Sequence, residues 1–160
     1  MSRIYGPAES VEEIANRLLP TFHSELATAR IKYIFVDQAS KKNGRPVFGK
    51  ARKVSGAWEF LVEADFLIEV ALDCWDQASD RQRDALVDHL LEACTGEEDE
   101  EDGGTMVWKM RSPDVNEFTS IIHRHGAWNE QLQGLVEVAQ RLNIEARVQE
   151  VQDTVVQQTT

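Results

Sequence analysis

The amino-acid sequence predicts one α+β domain, in which a three- to four-stranded sheet packs against about four helices. Segments with helical spacing of apolar residues occur toward both ends of the chain. Short runs rich in β-branched and aromatic residues lie between them. The 160 residues suffice for one hydrophobic core, and no internal repeat is present.

The N-terminal half is predicted to contain one helix and three strands. Ser10 and Glu13 form a capping box, and the apolar residues behind them predict a helix over residues 11–22. The three strands are expected over residues 30–36, 47–54 and 64–72. Between the first two strands, Asn43-Gly44 is the strongest turn signal.

The C-terminal half is predicted to be mainly helical. Ser79 and Gln82 form a second capping box, and Ser112-Pro113 is typical of another helix start. The expected elements are a helix over residues 80–94, an acidic loop over 95–104, a strand over 105–111, and helices over 114–125 and 129–147. The domain would then span residues 1–147, followed by a polar, frayed tail over 148–160.

The composition is that of an ordinary folded protein, with 42% hydrophobic residues and a mean hydropathy of −0.41. No apolar run reaches the roughly 18 residues of a membrane span, and the N-terminus lacks the features of a signal peptide. Cys74 and Cys94 are too few for a disulfide framework, so we expect a reduced, cytoplasmic setting.

Charge is distributed unevenly along the chain, whose net charge is −11. Residues 30–53 include eight basic residues and one acid, whereas residues 59–102 include sixteen acids and two bases. One strongly negative face repels nucleic acid and attracts basic partners. We therefore expect no direct binding to nucleic acid or to membranes.

Eleven acids of this segment, which we call the acidic series, form a pattern of their own. They are Asp76, Asp80, Asp84, Asp88, Glu92, Glu97, Glu98, Asp99, Glu100, Glu101 and Asp102. The first five recur every fourth residue and would form a slowly winding ridge on a helix, although like charges at this spacing cost roughly 0.2–0.5 kcal/mol each. Three interpretations stay open: a solvated face with a flexible loop, a calcium-type site without EF-hand spacing, and a mimic of nucleic-acid phosphates.

The helix predicted over residues 80–94 carries one histidine. Its broad apolar face would comprise Ala85, Leu86, His89, Leu90 and Ala93. We therefore expect His89 to point inward, where a histidine is more often a hydrogen-bonded core residue than a metal ligand. The outward acids Asp84, Asp88 and Glu92 are the better candidates for function.

Several stretches of the chain are similar to those of one known family. They are DFLIEVALDCWDQASDRQRDALVDHLLEAC with the acidic loop after it, VWKMRSPDVNEF, HRHGAW, FHSELATARIKYIF and FGKARKV. With them the chain resembles the phage metallopeptidases, over about residues 11–130. The resemblance implies a small zincin-like domain.

The same resemblance implies a lost active site. In the family's HExxH helix, two histidines one turn apart bind zinc and the glutamate is the general base. Here His89 occupies the first ligand position, but Leu90 replaces the base and Ala93 the second ligand. Pro113 replaces the third histidine. We therefore expect a protein without catalysis or cofactor, in which His89 is a relic ligand position.

A zinc-dependent hydrolase with a divergent site is the alternative. Glu92 lies three residues after His89 and could share a metal with it. Other candidate ligands are better explained by the two ends of one helix: His123 and His125 at its C-terminus, Asp114 and Glu117 at its N-terminus.

Together these patterns favour a non-catalytic phage protein that inhibits a host nucleic-acid-binding defence system, such as CRISPR or restriction. It would act in the host cytoplasm, with the acidic series as its contact surface. Trp108 and the basic segment over residues 41–53 are secondary contact candidates. A third interpretation is an accessory or structural phage protein that self-associates.

Overall fold

The computed structural model describes residues 2–158 as a mixed α+β fold, which confirms the predicted class. The strands are β1 (Tyr5–Pro7), β2 (Ile31–Val36), β3 (Ser40–Lys42), β4 (Arg45–Val47), β5 (Gly49–Lys53), β6 (Phe66–Ala71), β7 (Cys94–Asp99) and β8 (Thr105–Met110). The helices are α1 (Glu9–Phe22), α2 (Ala57–Val62), α3 (Leu72–Gln77), α4 (Asp80–Glu92), α5 (Thr119–His125) and α6 (Glu130–Gln158), with a 3₁₀ helix at Ser24–Leu26. The chain divides after Ser112 into two compact units.

The first unit is organised by a four-stranded sheet with the order β1-β2-β6-β5. β2 and β6 are parallel, with Ile31 opposite Phe66, while β1 and β5 run antiparallel to their neighbours. The sequence did not predict β1, because three residues that include a glycine and a proline carry no strand signal. The strand predicted over residues 105–111 belongs to a separate two-stranded sheet, β7–β8.

The hydrophobic core lies between one face of this sheet and the helices α1 and α4. Its buried apolar residues from these elements include Val11, Ala15, Leu18, Phe66, Ile68, Val70, Val87, Leu90 and Leu91. Burying a large apolar side chain contributes about 1.5–3 kcal/mol. Along β6 the side chains alternate, so Glu69 between Ile68 and Val70 points away from the core. It accepts a hydrogen bond from Arg52 at 3.1 Å.

A buried carboxylate fixes where β2 and β6 begin. Asp65 accepts hydrogen bonds from the backbone N–H of Arg30 at 2.7 Å and from its guanidinium at 2.9 Å. Burial alone would raise the pKa of Asp65, but the hydrogen bonds and charge of Arg30 outweigh burial and hold this pKa below its usual range. The pair therefore aligns the two parallel strands at their first residues.

The predicted turn at Asn43-Gly44 is confirmed. It joins β3 to β4 in a hairpin where Lys42 lies opposite Arg45. Asn43 and Gly44 both have positive φ, 53° and 77°, as a two-residue hairpin turn of type I′ requires.

The acidic segment, by contrast, is only partly a loop. Residues 94–99 form β7, which pairs along its whole length with β8. The strand forms despite its charges because β8 supplies hydrogen-bond partners and Lys109 forms an ion pair with Glu97. Gly96 pairs with Trp108 across the two strands, and the indole occupies the space that a side chain at position 96 would need. The indole also packs edge-on against Phe66, with the ring centroids 5.7 Å apart.

Three predicted helix boundaries were wrong. α1 begins at Glu9 without the Ser10 cap, because the buried Ala8 accepts the N–H of Glu12. α5 begins at Thr119 rather than at residue 114. α6 continues past residue 147 to Gln158, where side chains such as Gln149 and Asp153 are hydrogen-bonded one turn apart at 2.9 Å.

The sequence also missed α2 and α3, which are only six residues each. In the case of α3, the strand predicted to reach residue 72 ends at Ala71, and the helix follows at once. No helix within residues 2–158 combines the length and hydrophobicity needed to cross a bilayer.

Substituting Gly96→Ala should destabilise the first unit by about 1–3 kcal/mol, the usual cost of overpacking. The new Cβ would lie 2.7 Å from Cζ3 of Trp108 and would push the indole away from Phe66. Urea denaturation of the full chain measures the change. Gly6→Ala is the matched control, since no atom beyond its two chain neighbours lies within 4 Å of its added Cβ. Equal stability of the Gly96→Ala variant and wild type would contradict this packing.

Candidate functional site

Helix α4 organises the candidate site. It begins with the predicted capping box: the Ser79 hydroxyl accepts the N–H of Gln82, and the Gln82 side chain accepts the N–H of Ser79. The residues that α4 and its exit bury are Val87, Leu90, Leu91 and Cys94. They recur at helical spacing and define the face that packs on the sheet. This orientation determines which neighbouring element each of the other side chains of α4 faces.

The prediction that His89 points inward was wrong. His89 is exposed, because the larger side chains of Val87 and Leu91 take the core face that Ala85 and His89 were expected to share. His89 instead lines an open cleft of about 610 Å³. The wall of this cleft is mostly apolar and includes Phe48 and Leu86.

Leu90, at the position of the family's general base, belongs to the core. Its side chain is 3% exposed and packs against the backbone of β5, where a Cβ added to Gly49 would lie 2.8 Å from Leu90 Cδ1. A charged residue there would be buried without a partner, at high cost. The aliphatic side chain therefore serves packing.

The remaining residues do not fit a zinc ion. Ala93 and Pro113 carry no donor atom, which leaves His89 alone of the three ligand positions. Among the described residues, no group of three or more His, Cys, Asp or Glu side chains has the arrangement of a metal site. Glu92, the other ligand considered from the sequence, forms an ion pair with Arg111 instead.

The two cysteines are not activated nucleophiles. Burial and the adjacent Asp73 raise the pKa of Cys74, which lines the same cleft as His89. Burial raises the pKa of Cys94 to about 12. Both side chains are therefore neutral thiols near pH 7, and the thiolate is the reactive form.

Three acids of the acidic series that were expected to face outward hold α4 to neighbouring elements. Asp84 pairs with Arg17 of α1 at 2.6 Å. Asp88 lies 2.6 Å from Nε2 of His23, and Glu92 pairs with Arg111. These carboxylates stay half-exposed, with 40–55% of each side chain accessible, and each has a hydrogen-bond or ion-pair partner at short range.

His23 is the residue that sequence reasoning missed. It follows α1, its side chain is fully buried, and a carboxylate faces each ring nitrogen. Nδ1 lies 3.6 Å from Glu92 and has no hydrogen-bond partner in the part of the chain that the structure describes. Because Asp88 is 65 positions away, no local pattern could reveal the pair.

The second half of the acidic series forms what we call the acidic hairpin, residues Glu97–Asp102 at the end of β7 and in its turn. Two of its carboxylates have partners: Glu97 forms an ion pair with Lys109, and Asp99 accepts a hydrogen bond from the N–H of Glu101. The other four form no hydrogen bond or ion pair within residues 2–158. Glu25 of the 3₁₀ helix lines the same cleft of about 490 Å³ as Glu97 and Glu98. The structure thus adds Glu25 to this acidic surface.

The other contact candidates differ in exposure. Trp108 is half-buried against Phe66 and supports the hairpin. In the basic segment, Lys41, Lys42 and Arg45 are exposed at the β3–β4 turn. Asp76 and Asp80 are also exposed, at the end of α3 and the start of α4.

The second unit carries the remaining candidate residues. Glu117 accepts hydrogen bonds from the N–H of Phe118 at 2.8 Å and from the indole of Trp128 at 3.2 Å. It lies in the non-helical stretch before α5 and not in the first turn of a helix, where the sequence had placed it. His123 and His125 are exposed in the last turn of α5, which ends at Gly126 with a φ of 64°, as the sequence predicted.

Comparison with protein-family models gives one informative result. The family described as "Putative phage metallopeptidase" matches residues 4–140. The chain belongs to this family. Comparisons with curated proteins and with solved structures gave no significant match. The family assignment confirms the resemblance drawn from the sequence, while the residues at positions 90, 93 and 113 depart from the chemistry in the family's name.

Replacing Asp88 with alanine should destabilise the protein by about 1–3 kcal/mol, because Nε2 of the buried His23 would lose its hydrogen-bond partner. Urea denaturation of Asp88→Ala against wild type measures this loss. Asp76→Ala removes an equal charge from an exposed position and should change stability by less than about 0.5 kcal/mol. Similar losses in both variants would show that His23 does not depend on Asp88.

Proposed function

We propose that this protein is a non-catalytic member of the phage metallopeptidase family. It binds and blocks the nucleic-acid-binding surface of a host defence protein, of the CRISPR or restriction class. The acidic hairpin is the contact surface, and it takes the place of nucleic-acid phosphates. The observation that carries the proposal is the exposed, largely unpaired charge of this hairpin on a scaffold whose general-base position is in the core.

The acidic series divides into acids that have partners within the chain and acids that have none, and this difference favours the hairpin as the contact surface. Asp84 and Glu92 are paired with arginines, so their charges contribute less to the external field. Asp88 is held by the imidazole of the buried His23. Glu98, Glu100, Glu101 and Asp102 are exposed and form no ion pair among the described residues. The proposed contact is therefore narrower than the series, and it is centred on the hairpin.

The form of the hairpin also supports a polyanion mimic. β7 and β8 are paired through Asp99 and Thr105, so the acids at the turn are presented from an ordered base. A groove that binds phosphates gains affinity when counterions are released, and dense carboxylates can produce the same gain. Glu25, beside Glu97 and Glu98, widens the negative surface.

The catalytic alternative has no comparable support. A metal hydrolase needs at least two more ligands beside His89 and a base to activate water. Leu90, Ala93 and Pro113 supply none of these groups. His89 itself faces a mostly apolar cleft.

Neutralising the hairpin tests the proposal. We expect the quadruple variant Glu98→Gln, Glu100→Gln, Glu101→Gln, Asp102→Asn to lose capture of a nucleic-acid-binding complex from host lysate. Wild type should capture the complex, and added duplex DNA should displace the complex from wild type. Binding of wild type should weaken steeply with salt, because the contact is electrostatic.

The matched control removes the same charges from α6, with Glu137→Gln, Glu145→Gln, Glu150→Gln and Asp153→Asn. It should bind as wild type does. Unchanged capture by the hairpin variant, or equal loss in both variants, would reject the hairpin as the contact surface. Circular dichroism of each variant confirms that the fold is retained.

A further inference from the structure

The hairpin formed by β3 and β4 carries a cluster of bases that the proposed function does not use. Lys41, Lys42 and Arg45, which we call the basic hairpin, are exposed beside the two-residue turn at Asn43-Gly44. None of these three side chains forms a hydrogen bond or an ion pair within residues 2–158. The basic hairpin thus presents three unmatched positive charges to solvent.

These charges do not stabilise the hairpin that carries them. Lys42 lies directly opposite Arg45 in the register of β3 and β4. Like charges that face each other across two strands repel one another and weaken the pairing. A negatively charged partner would relieve this repulsion, so the arrangement favours an anionic ligand.

The acidic hairpin of the same unit has the complementary charge. The carboxylates of Glu98, Glu100, Glu101 and Asp102 form no hydrogen bond or ion pair within residues 2–158. The ion pairs of the described residues include none that joins the two hairpins. A single chain therefore leaves four negative and three positive charges unmatched on two hairpins, and contact between copies would match them.

We propose that this protein self-associates through these two hairpins, with the acidic hairpin of one copy bound to the basic hairpin of another. The net charge of −11 repels the copies from one another, but at physiological salt this repulsion is screened beyond about 8 Å. Carboxylates and cations in contact attract at much shorter range. Because the contact joins two different surfaces, it closes into a dimer only where each copy supplies both hairpins to the same neighbour.

The proposal rests on the acidic hairpin that serves the proposed function, and it concerns the regulation of that surface. An acidic hairpin that is bound to a second copy is not free to bind a host protein. The basic hairpin and the basic surface of the host protein therefore compete for the same carboxylates. Self-association lowers the amount of free inhibitor, and dilution or a tighter host partner releases it.

Sedimentation equilibrium of the full chain at several concentrations and salt concentrations tests the proposal. At low salt the mean mass of wild type should rise with concentration above the 18.1 kDa of one chain, and high salt should return it to that value. The variant Lys41→Glu, Lys42→Glu, Arg45→Glu should stay monomeric, because it places acids against acids. Wild type that is monomeric under all these conditions would overturn the proposal.

A charge swap tests whether the two hairpins meet each other. The substitutions Glu98→Lys, Glu100→Lys and Glu101→Lys, added to the reversed basic hairpin, exchange the signs of the two surfaces. Each acidic hairpin is then basic and each basic hairpin acidic, so self-association should return. A doubly reversed chain that keeps its fold by circular dichroism but stays monomeric would overturn the pairing.

A matched control reverses three exposed bases elsewhere in the same unit. Lys32→Glu with Lys53→Glu and Arg81→Glu changes the net charge by the same amount as reversal of the basic hairpin, and it should associate as wild type does. Equal loss of association in the two triple variants would attribute the effect to net charge and overturn the proposed contact.

Nucleic acid is the other anionic occupant that the same variants distinguish. Duplex DNA that binds monomeric wild type, but not Lys41→Glu, Lys42→Glu, Arg45→Glu, would assign the basic hairpin to nucleic acid and overturn self-association. That variant keeps its acidic hairpin, so it should still capture the host complex. Wild type that self-associates but captures no host complex would reject the proposed inhibitory function alone.

Discussion

The packing of α4 on the central sheet is the constraint on which the rest of the structure depends. Val87, Leu90 and Leu91 form its buried face, and Leu90 fills the space above Gly49 of β5. The family's zinc helix uses the position of Leu90 for its general base. In this chain the same position contributes to the core, so the stability of the fold and the absence of that base have one physical cause.

The orientation of α4 also decides what its charged residues do. With Leu90 inward, Asp84 and Asp88 lie on the side of α1, where Arg17 and His23 meet them. His89 is left at an open apolar cleft. Carboxylates that looked like an external ridge in the sequence thus join two helices. Within the acidic series, most of the carboxylates that form no ion pair among the described residues belong to the acidic hairpin. A negatively charged surface of that kind favours association with a basic partner.

Local sequence signals predicted the elements whose cause is local. The capping box at Ser79 and the turn at Asn43-Gly44 depend on residues a few positions apart, and both were found. The prediction of which face α4 buries was wrong. Ala85 with His89, and Val87 with Leu91, are each spaced four residues apart, so the helix sequence alone does not decide which pair faces the sheet. The bond between His23 and Asp88 and the pairing of β7 with β8 need tertiary contacts that no short window contains.

The central claim is that this chain keeps the family's fold without its zinc chemistry. Elemental analysis of protein purified without a histidine tag, incubated with zinc and then passed through gel filtration, tests the claim most directly. The account predicts far less than one zinc per chain, and the same value for wild type and His89→Ala. One zinc per chain in wild type, lost in His89→Ala, would contradict it.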